Sequence, residues 1–291
     1  ELIELMKRYG VTIKLFADDS KLYAEIVDIS DVRKFQAALD QLSDWAASWQ
    51  LNISIDKCCV LNIGKIPSNV AASANYSIDG HALPLVNSCR DLGIIVSHDM
   101  SPRLHINAMV LRAQQRANVI LRCFISRDPG LLMRAFLVYV RPMLEFNSVV
   151  WSPHLKCDVN KIERVQRRFT KRLQGLKFCS YAERLKRLDL MTLELRRLHM
   201  DLTMCYKIVF KLIDLNFDDF FKVSPSSSTR GHPYKLYRQR GDITARENFF
   251  SQRVVNIWNN LSDKIVDFTS LNSFNRTIRL INFCQYLKCS A

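Results

Sequence analysis

Residues 11–26 read VTIKLFADDSKLYAEI, and this stretch decides the fold of the first part of the chain. Hydrophobic residues alternate with polar ones on both sides of the short Ala17–Ser20 segment. Alternation with a period of two on both sides of a tight turn predicts a β-hairpin with one buried face. The tip of this hairpin then carries two adjacent carboxylates, Asp18 and Asp19.

The Asp18–Asp19 pair has two interpretations. Adjacent carboxylates repel each other, so a hairpin gains no stability from them unless a cation is present. Carboxylate oxygens at a tight turn suit Mg²⁺, which commonly shares its coordination shell with substrate phosphates. The alternative is an ordinary solvated turn, which the dipeptide by itself does not exclude.

The composition narrows the classes of partner and site. The 291 residues carry a net charge of +14, which favours a polyanionic partner. Nine cysteines are scattered without C-x-x-C or Cys/His ligand spacing, which argues against a zinc site and predicts reduced intracellular thiols. No apolar run approaches 18 residues, so we expect no membrane partner.

The pattern along the chain predicts an α+β fold. An amphipathic helix is expected from a cap at Ser30 or Asp31 to Trp49, and short antiparallel strands from Tyr76 to Val96 with a turn at Asp79–Gly80. Helical patterns then dominate. The predicted helices are 104–124, 131–144, 159–173, 181–188, 192–212, 243–261 and 270–287, and Pro142 is expected to kink or end the second.

Further motifs follow the hairpin in order. They are Trp49-Gln50-Leu51-Asn52, Asp56-Lys57, Val60–Gly64, Arg90–Ile94, Tyr139–Pro142, Trp151–Pro153, Arg246–Phe250 and Val255–Asn259. With Phe16-Ala17-Asp18-Asp19, this series resembles the C-terminal half of reverse transcriptases from non-LTR (LINE-type) retrotransposons, over nearly the whole chain. The tetrapeptide Phe16-Ala17-Asp18-Asp19 is a moderately specific signature of this family, whereas the whole ordered series is a strongly specific one.

The resemblance implies a division into four parts. Residues 1–97 would be a partial polymerase palm, an antiparallel hairpin and strands with a packed helix, and residues 98–222 a mainly α-helical thumb and connection. Residues 223–242, which are rich in serine, would be a linker, and residues 243–291 a C-terminal helical segment. The implied activity is RNA-directed DNA polymerisation in the nucleus, with an RNA template, a DNA primer and deoxynucleoside triphosphates.

The resemblance also implies the catalytic residues. Asp18 would be a metal ligand and Asp19 would complete the carboxylate pair for two Mg²⁺ ions. A further aspartate of the family lies on a strand that would precede residue 1. We therefore expect a fragment that does not polymerise alone. Lys57 would protonate the leaving pyrophosphate, with a surface lysine at a strand edge as the alternative.

Asp91-Leu92-Gly93 resembles the motif that holds the primer end, which implies that Leu92 and Gly93 contact the primer. A glycine there lets a nucleic-acid backbone approach closely, because it has no Cβ. The alternative is an ordinary β-turn glycine.

Positive charge concentrates in the helical half. Arg164, Arg167, Arg168 and Lys171 lie in a predicted helix with few acids nearby, and such residues track phosphates without reading sequence. They are the predicted contacts to a template–primer duplex. A nuclear-localisation signal and an ordinary solvated face are the alternatives for this cluster.

Two other functions remain open at this point. One is a degenerate element remnant that only binds RNA or RNA–DNA duplex, which the missing upstream aspartate favours. The other is an unrelated basic helical protein with a chance Asp-Asp hairpin, which the ordered motifs disfavour.

Overall fold

The computed structural model divides the chain into two compact units, Glu1–Ser101 and Pro102–Ala291. The residues that it describes are 1–64, 70, 74–224, 231–239 and 244–289. Small and polar residues at 71–77 predict a loop, and parts of this stretch and of the linker predicted at 223–242 lie outside these residues. The finer division of the second half at residues 222 and 242 stays a prediction.

The predicted hairpin lies at the start of the first unit. Strands β1 (Thr12–Phe16) and β2 (Asp19–Tyr23) pair in antiparallel fashion, with Ile13 opposite Leu22. Helix α1 (Leu2–Arg8) precedes them and buries Leu2 and Met6 against the base of the hairpin.

The prediction of one continuous buried face on this hairpin was wrong beyond its base. Val11 and Ile13 are buried, whereas Leu15, the next residue on the same face, is 50% exposed. The reason is that β1 and β2 form a sheet of only two strands, and the residues of α1 pack on Val11 and Ile13 rather than on the tip.

Helix α2 (Ile29–Ser48) is capped by Asp28, two residues before the earlier of the two predicted caps. The Asp28 carboxylate accepts a hydrogen bond from the Asp31 backbone N–H at 3.0 Å, and the Asp31 carboxylate accepts one from the Asp28 N–H at 3.3 Å. This reciprocal capping box satisfies two of the free N–H groups of the first turn. The cap predicted at Ser30 or Asp31 was therefore wrong, and Trp49, at the end of the predicted stripe, is 57% exposed.

Helix α2 separates two small cores. Ala38 and Leu42 pack with Met6 and Ile13, whereas Leu39 packs in a second cluster. The members of that second cluster are Val32, Leu39, Val70, Tyr76 and Ile78. Each half of the unit therefore depends on a different side of this helix.

Six short strands complete the first unit. The pairs are β3 (Val60–Leu61) with β6 (Leu85–Val86), β4 (Ser77–Ile78) with β5 (His81–Ala82), and β7 (Ser88–Asp91) with β8 (Ile94–Ser97). The turn at Asp79–Gly80 is confirmed, with φ of 50° and 75°. The antiparallel prediction was wrong for β3 and β6, which are parallel. These two strands are joined by a long connection rather than a hairpin turn, and only a long connection permits parallel pairing.

The second unit is helical. In chain order it begins with α3 (Arg103–Cys123), α4 (Pro129–Tyr139), α5 (Arg141–Glu145), α6 (Ser148–Trp151), α7 (Lys156–Lys171), α8 (Tyr181–Arg187) and α9 (Leu193–Val209). Short helices α10 (Phe217–Phe220), α11 (Thr244–Glu247), α12 (Phe250–Arg253), α13 (Val255–Asn259) and α14 (Leu271–Thr277) follow. A break at Val140 confirms the interruption predicted near Pro142. The final helical pair was predicted too long, because 250–259 and 271–280 fall into short helical pieces.

The C-terminal helices share a core with α9. Trp258 and Phe274 are fully buried and pack in one cluster with Leu202 of α9. Arg253 donates two hydrogen bonds of 2.8 Å to the Asp201 carboxylate and one of 2.6 Å to the Val149 carbonyl. Across the residues that the structure describes, none of the helices is both long and apolar enough to cross a membrane.

His199 predicts a pH dependence of the second unit. Burial, and then the nearby Arg279 and Arg196, lower the pKa of His199 from 6.5 to about 4. The unfolded state therefore takes up a proton first as the pH falls, and stability is lost between pH 6.5 and 4. We expect a loss on the order of 2 kcal/mol, reduced for partial solvent screening. Urea unfolding at several pH values checks this, and His199→Asn should remove that share of the loss.

Candidate nucleic-acid interface

The two acids of the hairpin lie at its exposed tip. Phe16 and Asp19 are the last paired residues, so Ala17 and Asp18 form the turn, and Ala17 adopts a φ of 52°. Asp18 and Asp19 are both exposed. Among the described residues, no group of three or more His, Cys, Asp or Glu side chains could hold a metal ion. Two carboxylates suit a Mg²⁺ ion shared with substrate phosphates, not an ion held by protein ligands alone.

The β7–β8 hairpin of the same unit contacts β2 through an ion pair. The Lys21 ammonium of β2 forms an ion pair with the Asp91 carboxylate at the end of β7. Leu92 and Gly93 make the two-residue turn to β8, with φ of 45° and 88°. Positive φ at both positions is the requirement of a type I′ turn. Gly93 therefore fits the turn geometry, whereas Leu92 is strained and leaves its side chain 45% exposed.

The strain at Leu92 gives a test of its predicted role. Leu92→Asn is expected to stabilise the β7–β8 hairpin by about 0.5–1 kcal/mol, because asparagine tolerates positive φ. Gly93→Ala should destabilise it by about 1 kcal/mol. Hydrogen exchange of the β7 and β8 amides measures both changes. Slower exchange together with weaker primer binding for Leu92→Asn would separate a binding role from a structural one.

Lys57 ends a single 3-10 turn, Ile55–Lys57, just before β3. Its side chain is exposed, and no hydrogen bond or ion pair of the described residues holds it. Both interpretations of this lysine stay open, and the structure places it in the same unit as Asp18 and Asp19.

In the second unit, α3 and α7 pack side by side along their length. Arg103 is 3.8 Å from the Asp158 carboxylate, and Lys161 donates to Asn107 at 3.0 Å and to Asp158 at 2.9 Å. Further along both helices, Arg172 donates to Asn118 at 2.9 Å. The order of these contacts shows that the two helices run in the same direction. We call this line of contact the α3–α7 seam.

Three exposed cations in the second half of α7 have no acidic partner among the described residues. Asp158, buried at its start, engages Arg103 and Lys161. Arg164, Arg168 and Lys171 are exposed, and none of the ion pairs among the described residues includes them. Steps of three or four residues place them on one face of α7. We call Arg164, Arg168 and Lys171 the cationic face.

A groove opens at the end of the seam. It has a volume of about 350 Å³ and is lined by Gln114, Asn118, Arg168, Lys171 and Arg172. Its walls thus combine three positive charges with two side-chain amides, which are donors suited to phosphate oxygens. Sequence analysis missed Gln114 and Asn118. Their spacing of four residues places them on one face of α3, but it does not show that α7 packs beside that face.

Arg167 lies apart from the cationic face. Its guanidinium stacks over the Tyr181 ring at 4.7 Å, and its Nε is buried. Neighbouring residues on a helix point about 100° apart, so Arg167 and Arg168 face different surroundings. The structure therefore brings together three of the four predicted duplex contacts on α7.

A buried acid fixes the other side of α7. Glu163 accepts a hydrogen bond from the Tyr181 hydroxyl and one of 2.9 Å from the Leu193 backbone N–H. Burial raises the pKa of Glu163, although these hydrogen bonds and Arg197 oppose the rise. Contacts on both sides of α7 hold the helix, so the cationic face is presented on a fixed support.

Comparison with known proteins shows one distant similarity. A stretch of 171 residues is 23% identical to the RNA-directed DNA polymerase from mobile element jockey of Drosophila funebris. It covers 57% of this chain and 18% of that protein, so the chain spans about a fifth of the relative that it matches. No family profile and no solved structure matches. The similarity supports a distant relationship to a reverse transcriptase of a mobile element.

Proposed function

We propose that this chain corresponds to the late palm, thumb and C-terminal extension of a non-LTR retrotransposon reverse transcriptase, with an α+β palm part followed by helices. The longer protein would copy RNA into DNA from a primer, in the nucleus. The distant similarity to a mobile-element polymerase and the Asp18–Asp19 hairpin support this proposal.

The function proposed for this chain itself is to hold a nucleic-acid duplex by its phosphates. The observation that carries it is the cationic face on α7, where Arg164, Arg168 and Lys171 have no acidic partner among the described residues. Lysine and arginine on a rigid support neutralise phosphates and release counterions, whatever the base sequence. The neighbouring groove offers further donors from Asn118 and Arg172.

The catalytic part of the proposal concerns the first unit. Asp18 and Asp19 would hold Mg²⁺ together with the triphosphate, and in the longer protein two such ions supply charge neutralisation for nucleotidyl transfer. Lys57 would donate a proton to the leaving pyrophosphate, and Leu92 and Gly93 would contact the primer. Because no third potential metal ligand joins Asp18 and Asp19 among the described residues, we propose polymerisation for the longer protein and binding alone for this chain.

An equilibrium titration tests the binding function. A labelled RNA–DNA heteroduplex is titrated with the chain at several salt concentrations. Three neutralised phosphates predict a slope of log K against log salt of about −3 or steeper. Binding that is absent, or that does not change with salt, would contradict the proposal.

A further inference from the structure

Two side-chain amides at the groove of the α3–α7 seam are held in a defined orientation. The Asn118 carbonyl oxygen accepts a hydrogen bond of 2.9 Å from the Arg172 guanidinium and a longer one of 3.5 Å from the Gln114 amide nitrogen. Because a guanidinium has only donors, it selects the oxygen end of the Asn118 amide. The NH₂ end of Asn118 is therefore the end that remains for a ligand.

The groove thus offers a donor and an acceptor side by side. Gln114 and Asn118 are half-buried on α3, one turn apart, and both line the groove. None of the hydrogen bonds among the described residues uses the Asn118 NH₂ group or the Gln114 carbonyl oxygen. The donor comes from Asn118, and the acceptor comes from Gln114.

The acceptor distinguishes this groove from a simple phosphate site. Phosphate oxygens accept hydrogen bonds, so they can pair with the Asn118 NH₂ group and with cations, but not with the Gln114 carbonyl oxygen. A hydroxyl group can pair with both amides, because it donates and accepts. The 2′-hydroxyl of ribose is such a group, and it is the feature by which proteins distinguish RNA from DNA.

The groove has the charge and the size for one sugar–phosphate unit. Arg168 and Lys171 of the cationic face line the same groove as the two amides. Its volume of about 350 Å³ lies at the lower end of the range for pockets that hold small organic molecules, about 300–1,000 Å³. A phosphate bound by these two cations would therefore bring its own sugar to the amides of α3.

We propose that this groove binds a ribonucleotide of the RNA strand, with Arg168 and Lys171 on its phosphate and the two amides on its 2′-hydroxyl. Asn118 donates to the hydroxyl oxygen, and the hydroxyl donates to the Gln114 carbonyl oxygen. This inference rests on the proposed function, duplex binding through the cationic face, and adds that the groove selects the RNA strand. A deoxyribose in the groove leaves both amides without these hydrogen bonds.

The test compares two heteroduplexes that differ only at the 2′ position. The full chain is titrated with an RNA–DNA heteroduplex and with the same duplex whose RNA strand carries 2′-fluorine in place of each hydroxyl. Fluorine keeps the sugar geometry of an A-form strand but cannot donate a hydrogen bond. The 2′-fluoro duplex is expected to bind about tenfold more weakly at the same salt concentration, with the same slope of log K against log salt.

Two adjacent glutamines assign the preference to this groove. Gln114→Met removes the acceptor and should reduce the tenfold preference for the RNA strand to below about threefold. Gln115→Met is the matched control, because Gln115 is exposed on α3 and points about 100° away from Gln114. This control should keep the preference, and circular dichroism checks that both variants are folded.

The outcomes separate this inference from the function on which it rests. Equal affinity of the unsubstituted chain for the two heteroduplexes overturns the inference and leaves duplex binding intact. A preference that persists in folded Gln114→Met shows that the hydroxyl is read elsewhere, which also overturns it. If neither heteroduplex binds, the proposed function fails and the inference fails with it.

Discussion

Replacing Arg164, Arg168 and Lys171 together with glutamine is expected to weaken binding of an RNA–DNA heteroduplex by about two orders of magnitude at physiological salt. The three side chains are exposed on one face of α7, and none has an acidic partner among the described residues. Their positive charges are therefore available to phosphates rather than neutralised within the protein. Each lost contact should also reduce the salt slope by about one, so the slope should fall by about three.

A matched control separates this effect from a loss of net charge. Lys186, Lys222 and Lys264 are exposed lysines of the same unit, away from the seam residues in sequence. Their triple replacement by glutamine removes the same charge and should leave both affinity and slope nearly unchanged. A salt slope that stays the same in the Arg164, Arg168 and Lys171 variant would contradict the assigned interface.

Arg167 provides a second comparison. Its guanidinium stacks on Tyr181, so Arg167→Gln should alter the packing between α7 and α8 rather than the salt dependence of binding. If Arg167→Gln alone makes the slope of log K against log salt shallower, this arginine belongs among the phosphate contacts, as its position next to Arg168 suggested.

The elements that the sequence predicts well are those set by local periodicity. The β1–β2 hairpin follows from alternation within residues 11–26, and α7 follows from the apolar spacing around Ile162 and Phe169. The local sequence also predicts the turn at Asp79–Gly80, because aspartate and glycine tolerate the positive φ that this turn requires.

The predictions that failed depend on contacts between distant segments. The exposure of Leu15 is decided by how far α1 reaches along the hairpin, which no alternation pattern contains. Parallel pairing of β3 with β6 is likewise set by a long connection. For the candidate site, spacing on α7 identified the cationic face, but the groove needed Gln114 and Asn118 from another helix.

Removal of a buried carboxylate should have the largest effect on stability. Asp201 on α9 is 4% exposed and accepts two hydrogen bonds of 2.8 Å from Arg253 of α12. Burial raises the pKa of Asp201, and the charges of Arg253 and Arg197 oppose the rise. Arg197 is itself buried, and its two terminal nitrogens have no hydrogen-bond partner among the described residues. Asp201 is therefore the direct partner of Arg253 and, after Glu163 and Glu194, one of the acids whose charge acts on the buried Arg197.

Asp201→Ala is accordingly expected to lower the free energy of unfolding of the second unit by about 3–5 kcal/mol, because it leaves the half-buried Arg253 guanidinium without its carboxylate partner and removes one of the acids near the buried Arg197. Urea unfolding followed by circular dichroism measures the change, and Asp214→Ala, at an exposed aspartate of the same unit, is the control. The double variant Asp201→Leu, Arg253→Met should recover much of the loss, since removing both partners leaves fewer unpaired charges than removing one. A loss below about 1 kcal/mol for Asp201→Ala would mean that water reaches this contact, and that the C-terminal helices are held to α9 by their apolar packing around Trp258 rather than by the ion pair.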